Sequence, residues 1–191
     1  MKQTIYLGTL LMALAVASEP IAVTVNYSNQ AAIPYRILRA ALKEAEFLFS
    51  KADVEITWVD CTSFEGALEI PRHCQHADPT RFRVTFKGDS DMQAVTMGFA
   101  YPTIGSGNRA AVIYSRVTAY ASKHSGMSDV EFILGVAIAH ELGHLFFRTT
   151  EHGDGIMMPQ WDKVQARKIG QRRLRFSASQ AETMRTALAA R

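Results

Sequence analysis

The chain has 191 residues, 48% of them hydrophobic and 20% charged, with a formal net charge of +3. That balance suits one globular domain with a substantial core and excludes a disordered chain. No internal repeat, low-complexity tract or Pro/Ser-rich linker divides it.

The chain opens Met1-Lys2, continues through an apolar stretch from Ile5 to Val16, and reaches Ala15-Val16-Ala17 before Ser18-Glu19-Pro20. A positive start, a short apolar region and a small-x-small site predict a signal peptide over residues 1–17, cut after Ala17. The expected mature form is a single domain, 18–191, secreted or periplasmic. The stretch is short for a membrane span, although a retained anchor is the alternative. No cysteine sits at the cut to carry a lipid, and no later stretch reads as a membrane span.

Ile21 to Tyr27 alternates apolar with smaller or polar residues and predicts a strand. After Pro34, Ile37, Leu38, Ala41, Leu42, Ala45, Leu48 and Phe49 recur at helical spacing, so a helix is expected over about 34–50. Val54 to Val59 alternates again as a second strand. Cys61 and Cys74 then bracket a polar, turn-rich loop and are the only cysteines. In an exported protein the simplest reading is a disulfide, worth ~3 kcal/mol by loop closure. The rival is a free thiolate held on a metal as a latency device. His73 and His76 beside Cys74 read as solvent-exposed, and His124 stands alone.

Arg81 to Phe86, Val95 to Tyr101 and Ala110 to Tyr114 predict three more strands, the last two separated by Pro102 and the turn Gly105-Ser106-Gly107-Asn108. Ser128-Asp129-Val130-Glu131 has the form of a capping box, so a helix is expected from there to about Phe147. Its apolar residues cover most of the circumference, which predicts burial. A second such box, Ser179 to Glu182, predicts a final helix. Between them, Lys163 to Arg175 holds six basic residues and no acid. That run reads as a solvated face or a contact for an anionic surface or an acidic substrate; too few aromatics interleave it for nucleic acid.

The buried helix carries His140-Glu141-Leu142-Gly143-His144. Histidines four apart share a helix face and can grip one metal ion, and a buried imidazole needs a partner for each ring nitrogen. A catalytic zinc site takes three protein ligands and leaves a fourth position open. His152 is the expected third, because Thr149-Thr150 ends the helix and Gly153 and Gly155 suit a chain turning back. Glu151, Asp154 and the distant Glu182 are the alternatives. Glu141 directly follows the first histidine, where it can take a proton from a nucleophilic water and pass it to a leaving amine.

With Gly155-Ile156-Met157-Met158-Pro159 downstream, the chain resembles the metzincin clan of zinc metallopeptidases over about residues 21–191. The resemblance implies an α/β (α+β) zincin domain: a five-stranded mixed twisted sheet with one antiparallel edge strand, two long helices and a C-terminal helix. It implies one catalytic zinc ion on His140, His144 and His152, with Met157 as a methionine turn forming an apolar floor beneath them. It also implies that an edge strand around Gly98, Phe99 and Ala100 pairs with a protein or peptide substrate in extended conformation. Two departures stand out. Phe147 occupies the place of the clan's glycine, and His152 follows His144 by eight positions rather than six. Trp161 stands where some families have a tyrosine soon after the methionine turn.

The expected function is therefore a secreted zinc endopeptidase, monomeric, with latency either absent or supplied by a protein inhibitor. A catalytically inactive zinc-containing binding module is the alternative from another class.

Overall fold

The computed structural model describes residues 19–64, 70–75, 81–89, 96–102 and 108–190. The expected signal peptide, His76, most of the 105–108 turn and Val95 lie outside them.

Five strands form one mixed sheet: β1 (Ile21–Asn29), β2 (Val54–Asp60), β3 (Phe82–Lys87), β4 (Gly98–Tyr101) and β5 (Arg109–Ile113), in the order β2-β1-β3-β5-β4. The first three neighbouring pairs are parallel, and β4 closes the sheet antiparallel to β5, with Gly98 opposite Val112 and Ala100 opposite Ala110. The expected α/β fold with an antiparallel edge strand is thus what the chain adopts. β1 and β2 are joined through α1 (Tyr35–Ser50), the crossover that parallel neighbours require.

The apolar stripe of α1, with Leu38, Ala41, Leu42, Ala45, Leu48 and Phe49 buried, packs on α3 (Val130–Phe147) and on β2. Every residue of α3 from Ile133 to Phe146 is buried. Contrary to the reading that no segment after the N-terminus suits a membrane, α3 is long and apolar enough to cross one. Its apolar surface is covered instead by α1, the sheet and the C-terminal helix α5 (Ala178–Ala189).

The second sheet face holds polar residues. Asn26 on β1 donates to the His73 carbonyl, and its register partner Arg83 donates to the carbonyls of Cys74 and Gln75. These bonds lay the cysteine segment across the sheet, where Cys61 and Cys74 form a disulfide.

Several expectations need correction. Tyr114 is not the end of a strand but the first residue of an unforeseen helix, α2 (Tyr114–Lys123). The basic run is partly a helix, α4 (Lys163–Gly170), opened by Asp162 and Gln165 in a capping box. Ser128 caps nothing: α3 starts one residue later, with Asp129 at the N-cap position. The cap of α5 is Ser177 with Gln180 rather than Ser179 with Glu182, because Ser177 meets the same pattern two residues earlier.

The basic run is also not uniformly solvated. Arg172 pairs with the buried Glu44 carboxylate at 2.6 Å, and Arg172 and Arg175 both stack over Phe47. Their charge holds the α4–α5 connection against α1.

Candidate metal centre and cleft

Helix α3 ends just past the second histidine. Arg148 adopts a left-handed conformation, φ 56°, and its N–H closes back onto the His144 carbonyl. The helix therefore runs through Phe147, the position where the clan has glycine, and turns one residue later. The longer route to His152 begins with this shift.

Residues 152–157 form a tight return. Gly153 N–H donates to the Met157 carbonyl at 2.8 Å and Met157 N–H to the Asp154 carbonyl at 3.0 Å. Ile156 N–H donates to the Arg175 carbonyl, and the Gln180 amide donates both to the Asp154 carbonyl, 3.1 Å, and to its carboxylate, 2.8 Å. Gln180 also accepts from Ser177 N–H in the cap of α5. One side chain thus joins a helix N-terminus to the loop that carries His152.

The return brings the three imidazoles together. His140, His144 and His152 each offer a ring nitrogen within 4.8 Å of the others, and among the described residues they are the group able to hold a metal. His140 Nδ1 bonds the Ile156 carbonyl at 2.8 Å, and His144 Nδ1 bonds the Thr149 carbonyl at 3.0 Å. A carbonyl can only accept, so each Nδ1 carries the proton and each Nε2 presents a lone pair. Those two Nε2 atoms face each other at 3.1 Å with no proton between them. Tetrahedral ligands on zinc stand roughly 3.3 Å apart, so a cation resolves this contact and the donor set fits zinc.

Burial lowers His140 to about 4 and lowers His144 as well, with neighbouring imidazoles adding to the effect. Both are therefore neutral at ordinary pH, the form that ligates. Two of the alternative third ligands, Asp154 and Glu182, are engaged elsewhere. Glu182 is exposed and paired with Arg185, while the Asp154 carboxylate is held by Gln180.

Glu141 is 5% exposed, and burial pushes its carboxyl up to about 8. A Cβ at Gly98 would lie 2.6 Å from both Glu141 Oε1 and the Ala111 carbonyl, so only glycine lets β4 approach the carboxylate this closely. Gly143 serves a matching purpose on the other side: a Cβ there would meet Met157 Sδ at 2.7 Å. Met157, 2% exposed, consequently lies against the histidine-bearing turn of α3.

The three histidines, Glu141 and Gly98 line one cleft of about 780 Å³. β4 contributes Gly98, Phe99 and Ala100, α3 contributes His140, Glu141 and His144, and the loop after Met157 contributes Trp161, whose ring meets His140 edge-on at 5.7 Å. The remaining wall is α2, with Arg116, Tyr120, Lys123 and His124. Reading the sequence missed that wall and left His124 unassigned. The available signal was the spacing of Arg116, Tyr120, Lys123 and His124, which is helical, but Val117 is the only buried residue of α2 and no apolar stripe accompanies it.

No family model and no curated protein sequence matches the chain. Solved structures do. A zinc-dependent peptidase from Methanocorpusculum labreanum matches at 14% identity and TM-score 0.55, over 84% of this chain and 99% of that one. An archaemetzincin from Methanopyrus kandleri matches at 15% identity and TM-score 0.53, over 92% and 99%. Metalloproteinase-II from Bacteroides fragilis matches at 14% and 0.54, over 91% of this chain and 55% of that longer one. At these identities the likeness establishes a shared fold.

Proposed function

We propose that the chain is a zinc-dependent endopeptidase of metzincin type, acting outside the cytoplasm on extended peptide substrates. The observation that carries this reading is the convergence of three histidine donors beside a buried carboxylate, in a cleft edged by an antiparallel strand. The fold shared with zinc peptidases supports it, and the disulfide fits an oxidising compartment.

His140 and His144 would hold one zinc ion through their Nε2 atoms, with His152 as third ligand. Bound there, zinc supplies Lewis acidity toward a scissile carbonyl and toward a water at the position the histidines leave open. Glu141 takes a proton from the attacking water and returns it to the leaving amine. The burial that raises its pKa favours the protonated form that delivers the proton to the leaving amine. β4 is the edge strand; its Gly98 N–H and carbonyl are bonded to the Thr96 hydroxyl, and an extended peptide would complete the rest of its outer edge as a further strand. Met157 keeps the underside of the histidine turn apolar and fixed.

Protein purified without added metal should contain one zinc per chain by mass spectrometry. Its cleavage of a denatured protein should stop on chelation and return with zinc. A folded chain that carries no metal and still cleaves contradicts the proposal.

A further inference from the structure

The α2 wall of the cleft has no role in the chemistry above. Arg116, Ala119, Tyr120 and Lys123 stand at helical spacing on one face of α2, His124 follows at its C-cap, and all of them border the cleft. Arg116 is half-buried and Lys123 exposed, and among the described residues neither side chain makes a hydrogen bond or an ion pair. A cation on a protein surface usually finds an acid; here the described cleft lining contains one carboxylate, Glu141, and it sits at the metal centre. Asp162 borders the same region through Tyr120, whose hydroxyl donates to its carbonyl, but the Asp162 carboxylate accepts from Val164 and Gln165 N–H in the cap of α4. The lining also includes the apolar Ala119 and Ala137, and Tyr120, whose ring packs on His124. Low-dielectric walls strengthen the pull of unpaired charges on whatever enters.

We propose that Arg116 and Lys123 form a carboxylate subsite, so that the cleft selects peptides placing a carboxylate against α2. A guanidinium fork and a flexible ammonium each donate charge-assisted hydrogen bonds to that group. The carboxylate comes either from an Asp or Glu side chain or from the peptide's C-terminus. The inference rests on the reading of the cleft as a peptide site.

The test measures binding, which keeps it separate from cleavage. Zinc-loaded Glu141→Gln protein is titrated by calorimetry with alanine-based hexapeptides carrying one Glu or one Gln at each position in turn, each with a free or an amidated C-terminus. At one position Glu should bind roughly tenfold or more tightly than Gln, if side chains are selected; free peptides should exceed amidated ones by a similar factor, if the terminus is. The preference should shrink with added salt. It should disappear in an added Arg116→Gln/Lys123→Gln pair and turn toward Lys-bearing peptides in an Arg116→Glu/Lys123→Glu pair, with zinc content and circular dichroism showing that each variant is folded. Equal binding of all peptides, or a preference that survives loss of both cations, overturns the subsite while leaving the peptidase reading intact. If no peptide binds at all, the cleft is not a peptide site and both fall.

Discussion

At the scale of single residues, the two histidines of α3 differ from His152 in how they are held. His140 and His144 are aimed by backbone carbonyls, whereas His152 is exposed and no acceptor for its ring is among its described contacts. As the third ligand, His152 should matter more than any outer hydrogen bond: His152→Ala should weaken zinc binding beyond the ~10–100-fold cost of losing such a bond, read by competition with a chelator. An unchanged affinity would return the third ligand to another residue. Arg148 pays for its left-handed turn with strain that glycine avoids; Arg148→Gly should gain up to ~1 kcal/mol in urea unfolding, less the entropy glycine adds to the unfolded chain. On the sheet, burial and then the neighbouring Asp60 push Tyr27 up to about 12. Its folded pKa lies above its unfolded value near ~10, so the neutral ring contributes stability that is present below pH 10 and lost as pH rises toward 12. Tyr27→Phe should flatten that alkaline limb of the unfolding midpoint. The pairing of His140 with His144 was legible because the motif fixes their spacing; the carbonyls that aim them were not, since Thr149 and Ile156 contribute backbone only.

Among elements, β1, α1, β2 and β3 were legible because each carries a clean period-2 or 3.6 pattern, and α3 because it is a long run apolar nearly all round. α2 and α4 were not. Helix α2 buries only Val117, and α4 buries Gln165, Ala166 and Ile169 inside a run whose charge drew the reading toward a solvated face. The capping pattern Asp162-x-x-Gln165 was present and overlooked. At α5 two overlapping Ser-x-x-Gln/Glu matches competed, and the pairing chosen by the fold puts Gln180 where it also reaches Asp154. That double use can be separated. Gln180→Glu keeps an acceptor for Ser177 N–H, and so keeps the cap, but cannot donate to Asp154 and repels its carboxylate. Zinc affinity should fall by roughly tenfold or more while the helical circular dichroism holds. Adding Asp154→Asn, which reverses donor and acceptor, should recover part of it. Undiminished affinity in Gln180→Glu would show that the loop bearing His152 does not depend on α5.

For the whole molecule, the antiparallel edge followed from resemblance rather than from periodicity, and the sheet order was not read at all, because strand patterns do not state which strands are neighbours. The structure now shows what that order achieves: β4 lies beside Glu141 and, among the described residues, has no further strand on its other side, while His73, Cys74 and Gln75 are tied to the sheet through Asn26 and Arg83. The disulfide closes a loop of 13 residues, so a Cys61→Ser/Cys74→Ser pair should lose ~3 kcal/mol in denaturant unfolding. Zinc stoichiometry should remain one per chain, since that segment contributes no member of the histidine group. The central claim is that Glu141 moves the proton in a zinc-dependent cleavage. Its most direct test is the cleavage rate of a denatured protein by zinc-loaded Glu141→Ala against wild type: the account predicts retained zinc with a rate reduced ~10²-fold or more, and a variant as active as wild type would contradict it.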